Sequence, residues 1–182
     1  APARDRIAVA VRDGNREHRV WLLSTFDPED RVLVSQGRGE VRWLAFSPCG
    51  RHLVAAGDAS RIIALDGENA GFELVASYGE LQGCAWLPSG ELLVKTGHPG
   101  YELQLWDPGT DAAKTRIDGG RSTSLLAWAL SEDGGRLAVA EPGQAVSLWD
   151  LDKGTRLQRL EGHRADVMGL AFSSTGELLL TL

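Results

Sequence analysis

Four histidines, two cysteines and a set of recurring aspartates are the groups with which this 182-residue chain could do chemistry. His18, His52, His98 and His163 lie far apart, on different loops or strands, and no two have metal-ligand spacing. His98, in "TGHPG", falls in a hairpin loop, where a solvated ring is the plain reading and a ligand contact the sharper one. Cys49 sits in the turn "SPCG"; a reactive thiol needs a cation beside it, and Arg51 alone is thin support. Cys84 lies inside an apolar run, so two free thiols in a reducing, cytoplasmic setting are expected. No serine occupies a strained nucleophile elbow; "LPSG" and "FSPCG" are ordinary turns. Asp66, Asp107 and Asp150 recur one repeat apart, which marks turn formers and not a carboxylate pair. "DGN" at 13–15 and "DLDKG" at 150–154 contain calcium-loop acids without the alternation or the closing Glu. No glycine-rich loop is followed by Lys-Ser or Lys-Thr. The expectation is a chain without catalytic residues, cofactor or metal.

The elements that carry these residues are strands. Hydrophobic residues make up 43% and charged residues 24%, enough for a real core. The formal charge of −6 argues against nucleic acid or an anionic membrane as partner. No apolar run reaches the ~18–20 residues of a membrane helix. Only Lys95, Lys114 and Lys153 stand among 19 basic residues, an Arg bias that points to a GC-rich, bacterial genome.

Four stretches align without gaps: "LAFSPCGRHLVAA", "CAWLPSGELLVKT", "WALSEDGGRLAVA" and "LAFSSTGELLLTL". Their glycines, Gly50, Gly90, Gly134 and Gly176, recur at intervals of 40, 44 and 42 residues. A third apolar run follows the first three: "RIIALD", "ELQLWD" and "AVSLWD". A fourth run then appears as "FELVASY", "AAKTRID" and "RLQRLE". Short runs rich in Val, Ile, Leu, Trp and Phe, bounded by Gly, Pro, Asp and Ser, read as antiparallel hairpins, and helical periodicity is absent. Each unit is a four-stranded meander.

This repeat resembles that of the WD-repeat β-propellers. The resemblance rests on Trp106-Asp107, Trp149-Asp150, Gly162-His163 and the "AFSPCG" and "AFSSTG" hairpins. It implies an all-β chain of four-stranded antiparallel blades. A partial blade would cover 6–37, whole blades about 41–78, 81–119 and 124–161, and a partial blade 166–182. The departures are as plain: Leu65-Asp66 replaces Trp-Asp, Arg121 stands where a loop His is usual, and Ala56 and Ala140 hold second-strand positions. The family's internal hydrogen-bond network is therefore largely missing, and apolar packing must hold the blades. Trp106 and Trp149 are expected to be buried within their own blades.

By the same resemblance the chain is a non-catalytic protein- or peptide-binding scaffold, the sensor or docking region of a larger signalling protein. Partners dock on the face that gathers the loops entering first and third strands. Arg38, Glu40, Asp58, Tyr78, Glu80, His98, Tyr101, Arg121 and Arg164 fall on those loops, and Arg42 and Trp43 open a first strand beside the channel. Arg42, Trp43, Tyr101, Arg121 and Arg164 are the candidate anchors, since aromatic and Arg residues dominate binding energy. The blander alternative packs Trp43 between blades and leaves the charges solvated. A chain that starts at Ala1 and stops on the apolar run 178–182 is expected to be part of a larger ring. Alternatively, 167–173 supply the innermost strand of the first blade and close a four-blade ring. Self-association through open blade faces, and a channel enzyme, are the competing functional classes.

Overall fold

The computed structural model describes residues 5–27, 29–58, 60–65, 72–74, 83–96, 101–110, 112–118 and 127–182. Every element among them is a β-strand. The first sheet holds β1 (Arg6–Arg12), β2 (Glu17–Ser24) and β3 (Arg31–Arg38). The second holds β4 (Val41–Phe46), β5 (His52–Gly57), β6 (Ser60–Ala64) and β7 (Phe72–Leu74). The third holds β8 (Gly83–Trp86), β9 (Leu92–Thr96), β10 (Glu102–Asp107) and β11 (Ala112–Asp118). The fourth holds β12 (Ala127–Leu130), β13 (Arg136–Glu141), β14 (Ala145–Asp150) and β15 (Thr155–Leu160). The last pairs β16 (Leu170–Phe172) with β17 (Leu179–Thr181). Neighbouring strands are antiparallel throughout. The chain is thus a run of small antiparallel meanders, the arrangement of whole and partial propeller blades. The inner strand β16 pairs with β17 and packs on β12, so 170–172 do not complete the first sheet as a four-blade ring would require.

Four apolar layers lie between successive sheets. Val20, Leu53 and Ile63 fill the first, with Ala8 and Ala10 against them. Val54, Ile62, Leu92 and Val94 fill the second. Leu93, Leu103, Leu105, Leu137 and Val139 fill the third, and Ala138, Val146 and Val167 the fourth. Alternate residues of a strand serve opposite layers, as the two-residue period demands. Leu53 faces the first sheet while Val54 faces the third. Second strands such as "HLVAAG" and "RLAVAE" are therefore apolar on both faces. Polar ties between blades among the described residues include the Trp86 indole N–H donating to Ala45 O at 2.9 Å, Thr115 Oγ1 donating to Leu151 O at 3.3 Å, Arg61 Nη1 donating to Gln36 O at 3.3 Å and Arg136 Nη1 donating to Gly176 O at 3.1 Å.

The hairpin between first and second strands sets which face a second strand presents. In three blades a serine opens the turn. The Ser47, Ser131 and Ser173 hydroxyls accept the backbone N–H of His52, Arg136 and Leu178 at 3.0, 2.9 and 3.1 Å. Phe46 then pairs with Leu53, Leu130 with Leu137 and Phe172 with Leu179. The third blade has Leu87 there, with no hydroxyl to offer. Its turn closes one residue earlier, Leu87 N–H donating to Glu91 O at 2.8 Å, and Trp86 pairs with Leu92. The gapless sequence alignment is thus one residue out beyond this turn: Leu92, not Leu93, is the counterpart of Leu53. A one-residue slip exchanges the two faces of a strand. The turn glycines all take positive φ, 69° at Gly50, 92° at Gly90, 77° at Gly134 and 71° at Gly176, which glycine adopts without strain.

A second recurrent feature is a register shift beside a third-strand tryptophan. It lies between Val20 and Trp21, Leu105 and Trp106, and Leu148 and Trp149. Trp21 is thereby the counterpart of Trp106 and Trp149, unmarked in sequence because Leu22 replaces the aspartate. Trp106 and Trp149 are partly buried and pack towards the preceding blade, in place of the burial within their own blades that the sequence suggested. Their polar ends differ. The Trp106 indole N–H donates to Gln104 Oε1 at 3.0 Å. The buried Trp149 indole nitrogen and the Ser147 hydroxyl find no partner among the described residues. Trp106→Phe should therefore cost about 1–3 kcal/mol more than Trp149→Phe, since it strands the buried Gln104 amide oxygen while the other removes an unpaired donor. Equal shifts in urea midpoint for the two variants would refute this pairing.

Candidate functional site

The rim around β4 is built by a close approach of backbone. In the β4–β5 pairing Val41 faces Gly57 and Trp43 faces Ala56, so Arg42 is the extra residue of a bulge. Bulges re-aim side chains. A Cβ on Gly57 would sit 1.9 Å from Glu40 O, so only glycine permits the crossing. The loop after Gly57 then locks onto the one before β4. Asp58 N–H donates to Glu40 O, and Glu40 N–H donates to Asp58 Oδ2, both at 3.0 Å. Arg42 Nη2 donates to Asp58 Oδ1 at 3.1 Å, with Arg42 Nε 3.5 Å from Glu40 Oε2. Arg12 completes the group, 3.8 Å from Glu40. The Arg42 side chain is 38% exposed, so these surface ion pairs fix its direction more than they add stability.

Trp43 stands beside it, 37% exposed and outside every buried cluster. It has the same orientation as Ala45, towards the third blade. Counting back from the turn glycines, the corresponding positions are Gly83, Ala127 and Gly169. One inner strand therefore carries a large aromatic where the others are narrow. Arg164 is exposed on the loop between β15 and β16, next to Gly162 and a partly buried His163. Gly162 has φ +118° with open space beyond it. Arg121 lies outside the described residues, as do Asp66, Tyr78, Glu80 and His98.

Tyr101 does not share this exposure. It is 3% exposed, packed with Leu93, Leu103 and Val139, which argues for a structural part and not a surface one. Burial, with the charges of Glu141 and Asp118, pushes its hydroxyl up to about 12. Sequence placed it on a loop because it precedes β10; the chain has already turned inward there.

On the opposite face the paired turns hold their own aspartates. Asp107 Oδ1 accepts Gly109 N–H at 2.8 Å, and that bond, with Lys114 nearby, holds its carboxyl below the usual range. Asp150 is lowered by the Lys153 ammonium at 2.9 Å and by Lys153 N–H. A cleft of 360 Å³ lies on this face between turns of the second and third sheets, lined by Cys49, Arg51, His52, Glu91, Asp107 and Lys114. Lys114 is bonded to Glu91 across it. The Cys49 thiol is lowered chiefly by the Ser47 hydroxyl, then by the Arg51 N–H, while burial pushes Cys84 up to about 11. Both cysteines are free. No group among the described residues could hold a metal ion, and no helix there is long and apolar enough to cross a membrane.

The geometry defines a class: an all-β chain of propeller blades presenting a rim of fixed loops. Comparison with known proteins supports the WD-repeat family. The family model described as WD domain, G-beta repeat, matches residues 31–63 and 154–181. The chain is 28% identical to the WD repeat-containing protein VIP3 of Arabidopsis thaliana, over 94% of this chain and 58% of that protein. It is 25% identical to the nuclear distribution protein PAC1 of Arthroderma benhamiae, over 92% of this chain and 38% of that one. It is 22% identical to the rice chromatin assembly factor 1 subunit FAS2 homolog, over 100% of this chain and 30% of that one. The chain spans less than two thirds of each. These relatives are plant and fungal, so they lend no support to the bacterial source suggested by the Arg bias.

Trp43 and Tyr101 should separate in a stability assay. Tyr101→Ala should cost about 3–5 kcal/mol, the range for emptying a large aromatic site. Trp43→Ala should move the melting temperature little, because its counterparts are already glycine and alanine. A large loss at Trp43 would place it in the core.

Proposed function

We propose that this chain is a non-catalytic protein- or peptide-binding scaffold whose partner docks on the rim formed by Arg42, Trp43 and Arg164, with Arg121 on the same side in sequence. The observation that carries the reading is Trp43, an exposed aromatic on an inner strand where the other blades have only Gly83, Ala127 and Gly169. Beside it Arg42 is held by Asp58 and Glu40. A pre-oriented arginine next to an exposed tryptophan is the chemistry of an interface hot spot. Loops that need no movement to bind lose little entropy in doing so. Docking within a larger signalling protein, in the cytoplasm, is the finer form of the reading; the free thiols support a reducing setting. The partner is a protein or peptide, neither nucleic acid nor membrane, in keeping with the net charge of −6.

Self-assembly is a second reading, favoured by one observation. The outer faces of the first and last sheets carry exposed apolar rows, Ile7, Val9 and Val11 on β1 and Leu178, Leu180 and Leu182 at β17. Sedimentation separates it from docking, because assembly through those faces would be concentration-dependent and insensitive to Trp43. For docking, alanine scanning of the rim against a co-purified partner is the test. Trp43→Ala should weaken binding by at least about 2 kcal/mol without unfolding the chain. Binding that survives it and instead depends on the cleft around Cys49 and Lys114 would move the site to the other face.

A further inference from the structure

The contracted turn of the third blade places one lysine where no lysine belongs. Lys95 on β9 is the structural counterpart of Ala56 and Ala140, both 0% exposed. It pairs with Gly83 on one side and Leu103 on the other, so it shares their face, which looks towards the fourth blade. Trp128 of that blade approaches the same row, its Cζ2 3.9 Å from where a Gly83 Cβ would stand. Lys95 is half-buried, and burial lowers its pKa. Among the described residues its side chain has no hydrogen bond or ion pair, and the acids nearest in sequence are occupied: Glu91 by Lys114 and Ser89, Glu102 by Gln104 and Arg116. The other two lysines are both ion-paired.

A cation taken partly out of water without a counter-charge lowers stability, and an apolar residue of similar length would serve the layer better. A solvated head on a buried stem is the mundane use of such a lysine. It does not account for this position, since the equivalent sites are filled by buried alanine and Lys95 shares its face of the strand with Leu93. Positions that break an otherwise consistent pattern are where function resides.

We propose that Lys95 is a binding residue, the counter-charge for an Asp or Glu carboxylate of a partner peptide docked beside Trp128, where the third and fourth blades meet. Deepening the scaffold reading, on which it rests, this names the partner's chemistry: an acidic residue flanked by apolar ones. The ammonium takes the carboxylate, and the Gly83–Trp128 wall takes the neighbouring side chains.

The test uses the whole chain and a displayed random-peptide library. Peptides selected on it should share an acidic residue. Replacing that residue by its amide should weaken a synthetic peptide about tenfold or more, the size of one charge-assisted hydrogen bond. Lys95→Met should lose the same factor and become indifferent to the amide replacement, while Lys114→Met binds as the parent does. Lys95→Met should also melt no lower than the parent, since it puts an apolar chain into an apolar layer. Selected peptides that bind Lys95→Met unchanged, or a lower melting temperature for that variant, would overturn the inference. Peptides that depend on Arg42 and Trp43 but not on Lys95 would defeat it and leave the scaffold standing. Failure to select any peptide would count against both.

Discussion

Everything in this chain depends on apolar sheet faces being stacked in the right order. A meander of four short strands is not stable alone, because both its faces are greasy and half its backbone edge is free. Each blade becomes stable when a neighbour covers it. Burying a Leu or Val between two sheets contributes about 1.5–3 kcal/mol. Leu53, Ile62, Leu92, Leu103 and Leu137 do this from both sides of successive layers, fully buried. The polar groups contribute geometry more than energy. Asp107, Asp133 and Asp150 each close a turn, and their carboxyls are held below the usual range, chiefly by the Gly109 N–H, the Ser131 hydroxyl and the Lys153 ammonium respectively. A depressed carboxyl favours the folded state above its unfolded pKa, and that gain fades as acid protonates it.

Stacking of this kind frees the loops. None of the rim residues must hold the layers together, so the rim can carry chemistry suited to a partner. Gly57 and the bulge at Arg42 convert that freedom into fixed direction. Trp43 and Lys95 are two places, among the described residues, where a side chain departs from what the layers require. One is too large for its inner strand and the other too polar for its face. Both departures fall on inner strands or their partners, close to the face that the loops share.

Much of the architecture was legible in sequence because strand, turn and repeat signals agree. Gly50, Gly90, Gly134 and Gly176 mark the hairpins, and runs such as "RIIALD" and "AVSLWD" are too short and too β-branched for helices. The orientation of the third blade was not legible. "HLVAA" and "LLVKT" match residue for residue, and with both faces apolar no alternation betrays a slip. The cue was Leu87 in place of Ser47, Ser131 and Ser173, a missing hydroxyl whose meaning appears only with the turn geometry. Tyr101 was misplaced for a related reason: a residue beside a glycine- and proline-rich loop reads as exposed, while its side chain belongs to the layer behind it. Arg42 and Trp43 were legible by type and position; the bulge that aims them was not.

The register of the third blade is the most direct test of this account, because the layers, the contracted turn and the position of Lys95 all follow from it. Cys84 on β8 lies opposite Val94, a pairing close enough for a disulfide, whereas the gapless alignment would set it opposite residue 95. In a Cys49→Ser background, Val94→Cys should oxidise to an intramolecular disulfide with Cys84, read by thiol titration and mass spectrometry, and Lys95→Cys should not. A disulfide from position 95 and none from position 94 would contradict the contracted turn and the order of faces built on it.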